Sequence, residues 1–201
     1  MMRNILSRAC ITGLILCSIF CVPLFSRTFN DIYSGDQLNR IAFPLGGIGA
    51  GMIALDGTGS FSHLSVRHQP EIFNEPFMFA AVSVKGYEHG AKVLEGPVPR
   101  WKLFGVPNAG NGGSGAPYGL PRFEHAEFLS RFPFGSITLS DQDVPLAVEI
   151  TGWSPFVPTE PDLSSLPVAG IEYKFINLSS ASIEAVFSFN SKNIMKVEKP
   201  S

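Results

Sequence analysis

Beyond Ser26 the apolar and polar positions alternate in short runs. Met52–Leu55, Phe61–Val66 and Phe77–Lys85 carry the pattern in the first half, and His125–Phe132, Ser136–Leu139, Leu146–Thr151, Val168–Asn177 and Ile183–Ser191 carry it in the second. Gly, Pro, Asn and Ser separate the runs. Period-two alternation between turn signals is what a half-buried strand requires, because successive side chains point to opposite faces. No long stretch keeps apolar residues at i, i+3, i+4 and i+7, and prolines interrupt the few that begin to. The chain therefore predicts an all-β fold, an antiparallel β-sandwich.

The last two runs show the clearest faces. Ala169, Ile171, Tyr173 and Phe175 share one side of the first, and Ile183, Ala185, Phe187 and Phe189 share one side of the second. The segment Asn177-Leu178-Ser179-Ser180-Ala181 between them predicts a hairpin with Phe175 opposite Ile183, Tyr173 opposite Ala185, Ile171 opposite Phe187 and Ala169 opposite Phe189.

The first 26 residues read differently. Arg3 and Arg8 form a basic start, Ile11–Phe20 is an apolar core, and Cys21-Val22-Pro23 breaks it. That core is shorter than the roughly 18–20 residues of a spanning helix, so residues 1–26 are expected to be a signal-peptide helix and 27–201 the exported β domain. The lesser expectation is an uncleaved membrane anchor. Cys10, Cys17 and Cys21 all fall inside this segment, so the processed domain would lack cysteine and with it any thiol or Cys-metal chemistry. Loss of Arg3 and Arg8 would leave 13 basic and 17 acidic residues, a net charge of −4. The net charge of −2 for the full sequence gives no basic footprint for nucleic acid. With 45% hydrophobic and 16% charged residues, the chain has enough apolar surface for a packed core.

Candidate chemistry is sparse. Gly46-Gly47-Ile48-Gly49-Ala50-Gly51 has the composition of a phosphate-binding loop, but that chemistry needs a helix N-terminus to follow. Met52–Leu55 and the turn Asp56-Gly57-Thr58-Gly59 follow instead, which favours a tight backbone crossing where side chains do not fit. His63, His68, Glu71 and Glu75 are close in sequence, yet the His63–His68 step places the two rings on opposite strand faces, and no HExxH pattern occurs. Trp101, Tyr118, Trp153 and Phe156 could stack on sugars, with core or interface packing as the default role of such residues. Glu71, Glu75, Glu160 and Asp162 supply carboxylates without a spacing that fixes a pair. The loop Asn108–Gly119 is flexible by composition. From these residues no catalytic, substrate-binding, cofactor or metal position is assigned.

Several ordered motifs nevertheless form a recognisable set. Ile41–Ile53, Ser65–Pro76, Val93–Pro99, Ser154–Pro158 and Ser164–Val168 are together similar to the N-terminal domain of glycoside hydrolase family 116, in its bacterial type. That family contains β-glucosidases and non-lysosomal glucosylceramidases. The resemblance spans roughly residues 38–195 and implies a β-sandwich longer than this chain, so an incomplete sandwich is the expectation here. It also implies that the catalytic Glu and Asp lie in a following helical (α/α)₆ domain, so no catalytic residue is carried onto this chain. The expected partner is that helical domain, contacted through Asn108–Gly119 and Gly152–Asp162. A β-glucoside would be met only by the full-length enzyme, which would act with retention, through a carboxylate pair and without a cofactor. The alternative expectation is a stand-alone secreted carbohydrate-binding or adhesive β domain.

Overall fold

The computed structural model describes residues 30–66, 69–71, 76–103 and 117–194, with side chains for all of these except 69–71 and 117. The chain divides into two units, Met1–Asp31 and Ile32–Ser201. The expected signal helix lies outside the described residues, and every strand and helix named below belongs to the second unit.

Three antiparallel sheets make up this unit. The largest has the order β1 (Tyr33–Ser34), β8 (His125–Arg131), β9 (Phe134–Ser140), β10 (Leu146–Trp153) and β11 (Gly170–Asn177). A four-stranded sheet runs β2 (Ala42–Leu45), β3 (Met52–Asp56), β4 (Phe61–Val66) and β5 (Gln69–Glu71). A three-stranded sheet runs β12 (Ala185–Ser191), β6 (Met78–Val84) and β7 (Ala91–Val93). Helix among the described residues is short: the 3₁₀ segments Gly35–Arg40 and Pro117–Gly119 and the single turns α1 (Arg100–Leu103) and α2 (Pro161–Ser164).

Alternation places the core. Ala126 and Phe128 of β8, Ile137 and Leu139 of β9, and Leu146, Val148 and Ile150 of β10 are buried on one face of the five-stranded sheet. The two smaller sheets cover that face together with Leu45, Leu55, Phe61, Ala80, Val82 and Val84. Phe43 of β2 meets Phe128 of β8 at 6.0 Å between ring centroids, and a Cβ on Gly152 of β10 would touch Leu45 and Leu55. Each fully buried side chain of this size contributes about 1.5–3 kcal/mol. The antiparallel sandwich expected from the sequence is the fold observed.

All eight predicted strands are present, with ends moved by a few residues. The sequence pattern missed β1, β2, β5 and β7, which are two to four residues long and too short to show a period. The predicted hairpin between the last two runs does not form. β11 pairs with β10, Phe175 opposite Val148 and Tyr173 opposite Ile150. β12 pairs with β6, Phe187 opposite Val82 and Phe189 opposite Ala80. Residues 178–184 carry the chain from one sheet to the other, so the two apolar faces meet across the sandwich instead of side by side. Phe187 stands 5.4 Å from the Tyr173 ring and 5.9 Å from that of Phe175. Alternation identifies a strand's apolar face, and face-to-face packing satisfies it as well as lateral pairing does.

Candidate functional site

The Gly-rich segment lies between β2 and β3 and forms the floor of a cleft of about 570 Å³. The β2–β3 connection must reverse tightly, and Gly46, Gly49 and Gly51 adopt the positive φ that other residues avoid. Space is equally short: a Cβ on Gly46 would strike the Gly51 carbonyl, and one on Gly47 would strike the Leu166 carbonyl. The loop is tied down by the segment after β10. Gly46 N–H donates to Ser154 Oγ at 3.1 Å, and Ile48 N–H donates to the Ser164 carbonyl at 2.8 Å. Ser164 Oγ in turn accepts from Val157 N–H and donates to the Val157 carbonyl, each at 3.0 Å, holding α2 against its own loop. With Ala50 N–H bonded to the Gly47 carbonyl, three amides of the loop are engaged by protein. A strand, not a helix, comes next in the chain. This is the close backbone crossing that the sequence favoured over a phosphate site.

Phe132, Ser154 and Pro155 also line the cleft. Phe132 is 61% exposed and packs edge-on against Phe156 at 5.0 Å. Ile48, Phe134, Trp153, Val157, Leu163 and Leu166 are also exposed. Ile48 and Phe132 line the cleft itself, and Phe134 and Trp153 stand opposite each other at the paired ends of β9 and β10. Trp153 lies over Gly170, where a Cβ would run into the indole. The missing side chain at Gly170 thus leaves room for the ring at the start of β11.

Of the other aromatic candidates, Trp101 is half-buried beneath His63, with ring centroids 5.5 Å apart, and Tyr118 lies 5.9 Å from the Arg122 guanidinium. His63 has a φ of 30° where β3 and β4 shift register, so it is the extra residue of a bulge. His68, Glu75 and the side chain of Glu71 lie outside the described residues, as does most of Asn108–Gly119. Glu160 and Asp162 flank Pro161 at the start of α2, both exposed. Among the described residues no group of three or more His, Cys, Asp and Glu is placed to hold a metal.

The sequence reading missed the buried charges. Asp56 closes β3 at 0% exposure and Lys102 of α1 reaches it at 2.8 Å from a site 1% exposed. Asp56 Oδ1 also accepts from Thr58 N–H at 2.9 Å, Thr58 Oγ1 at 2.8 Å and Ser60 N–H at 3.1 Å. Burial opposes ionisation of Asp56, but Lys102 and these bonds outweigh it and hold the carboxyl below its ordinary range. Glu95 pairs with Arg122. Burial pushes Glu95 upward, and Arg122 and Lys102 offset this only in part. Lys92 of β7 bridges Asp141 at 2.7 Å and Asp143 at 3.1 Å, linking β7 to the β9–β10 turn. Asp56 and Glu95 are buried, each already engaged by a cation, and neither lines the cleft. Their chemistry is that of struts. Nothing in a period-two pattern marks such residues, because they sit at strand ends and in loops.

The fold and the glycine crossing define a β-sandwich with a loop-built cleft. A family model described as beta-glucosidase 2, glycosyl-hydrolase family 116 N-term, matches residues 42–199, and the chain belongs to this family. No curated protein matches the chain.

Proposed function

We propose that this domain is the non-catalytic scaffold of a retaining β-glucosidase-type enzyme and that its cleft end packs against a helical catalytic domain. The observation that carries the reading is a set of exposed apolar side chains: Ile48 and Phe132 in the cleft lining, Phe156 against Phe132, and Trp153 and Val157 in the same run of chain as Phe156. Exposed apolar side chains gathered at one place mark interaction sites. The group is built on a floor held by Ser154 and Ser164, so it is pre-shaped rather than adaptable. The domain serves an exported enzyme in this reading, with the β-glucoside bound by the complete protein.

The test is a binding measurement with a family 116 helical domain supplied separately. Wild-type chain binds it, and Phe132→Ser with Phe156→Ser weakens binding at least tenfold while the isolated domain keeps its melting temperature. Unchanged binding by the double variant removes the cleft end from the interface. Hydrolysis of a β-glucoside by the purified chain alone defeats the non-catalytic assignment. Saturable binding of glucose or cellobiose by the isolated chain favours a carbohydrate-binding module instead.

A further inference from the structure

We propose that two copies of this chain pair through β11, antiparallel about a two-fold axis at Tyr173, so that the five-stranded sheet continues from one copy into the other. Among the described residues β11 is the last strand of its sheet and pairs only with β10. Its outer edge therefore offers a row of backbone donors and acceptors for another strand. Two devices that blunt such an edge, proline and a bulge, are missing from it, and its two charges are of opposite sign. Gly170–Asn177 contains no proline, and its register with β10 runs unbroken over all eight residues.

The charges on β11 choose the partner. Glu172 and Lys174 lie on the solvent face, one on each side of Tyr173. A two-fold axis at Tyr173 places Glu172 opposite Lys174 of the second copy, and Lys174 opposite Glu172 of the second copy. Registers centred on Glu172 or on Lys174 instead set like charges face to face, which is unfavourable. Lys174 already meets Glu149 of β10 at 2.8 Å. The proposed pairing extends this into a row of alternating sign: Glu149, Lys174, then Glu172 of the second copy.

The core face agrees with the same register. Ile171, Tyr173 and Phe175 alternate with the charged residues, so they remain on the core side of the continued sheet. Phe175 comes beside Ile171 of the second copy. Phe175 and Phe187 line an apolar slot of about 290 Å³ with Val82, Leu146 and Ile183, and both rings are left partly exposed. A closed two-fold pair is also the commonest arrangement for identical chains.

The experiment is sedimentation or light scattering of the full chain across a concentration series. Wild type is expected to be a dimer. Glu172→Lys and Lys174→Glu each create like-charge contacts in a homodimer and should weaken association about tenfold or more. An equimolar mixture of the two variants restores opposite charges and should recover the dimer. A monomeric wild type overturns the proposal and leaves the edge to a different segment or protein. So does a dimer that ignores both reversals. Hydrogen exchange on wild type gives an independent reading that needs no variant to fold. Amides of Gly170–Asn177 should exchange more slowly as concentration rises, and unchanged exchange in a dimer places the contact elsewhere.

Discussion

On the flank where β8, β9 and β10 lie over the smaller sheets, alternation ends in complete burial. Phe128, Ile137, Leu139, Val148 and Ile150 are almost inaccessible. On the flank made by β11 and β12 the same alternation leaves Phe175, Phe187 and Phe189 exposed, Phe187 at 45%. The local sequence logic of the two flanks is identical. What differs is cover: each central strand has neighbours on both sides and a sheet across from it, whereas β11 and β12 each end their sheet among the described residues. A strand's pattern states which face seeks burial, and only the rest of the fold decides whether it is achieved.

The largest loss is expected at the buried ion pair, where cover is complete. Lys102→Met leaves the Asp56 carboxylate inside the protein without its cation, and removing one partner of such a pair costs about 3–5 kcal/mol. The urea midpoint should fall accordingly at unchanged slope. Adding Asp56→Asn removes the stranded charge and should recover part of the loss. If Lys102→Met alone costs less than about 1 kcal/mol, the range of an exposed pair, α1 is not anchored by this contact.

Matched truncations then measure cover directly. Phe128→Ala on the closed flank should cost about 3–5 kcal/mol, as removal of a fully packed ring does. Phe187→Ala on the open flank should cost about half as much or less, because its ring already meets water and loses less apolar contact. Equal losses in urea denaturation would mean that Phe187 is covered in solution. The two-fold pairing through β11 sharpens this, since the Phe187→Ala penalty would then rise with protein concentration while that of Phe128→Ala would not.

The same contrast explains what the sequence could reveal. The eight longer strands were legible because each has enough residues to show a period, as Leu146–Trp153 does with Leu146, Val148, Ile150 and Gly152 turned inward. The glycine crossing was legible because a strand comes after it. The pairing of β11 and β12 was not, because Tyr173 and Phe187 can satisfy one apolar pattern either as lateral neighbours or across the sandwich. Asp56, Lys102, Glu95 and Arg122 were invisible to pattern because each is an isolated polar residue whose partner comes from another segment. Glu95 alone carried a hint, lying inside the run Val93–Pro99 that supports the family resemblance.

Ion pairs on the two flanks give the finest comparison, and pH separates them. Burial opposes ionisation of Asp141, but Lys92 and the backbone N–H groups of Asp143 and Glu124 outweigh it, so its folded carboxyl lies below the ordinary 3.8. A depressed carboxyl contributes stability that is present above its unfolded value and lost as pH falls through the folded one. Burial likewise opposes the charge on Lys92, yet Asp141 and Asp143 raise it above 10.5, so its own share disappears only as pH rises through that raised value. Asp141→Asn should therefore cost about 1.5–3 kcal/mol at neutral pH, the range for hydrogen bonds to charged groups, because Lys92 keeps Asp143. The gap from wild type should close as pH is lowered below about 3.9. Glu149→Gln removes the pair that β10 makes with Lys174 of the open flank, whose side chains are largely exposed, and should cost no more than about 1 kcal/mol. High salt should erase that smaller difference and leave most of the first, because solvent ions screen Lys174 but do not reach Lys92. Equal salt sensitivity of the two variants would show that the Lys92 bridge opens to water in solution.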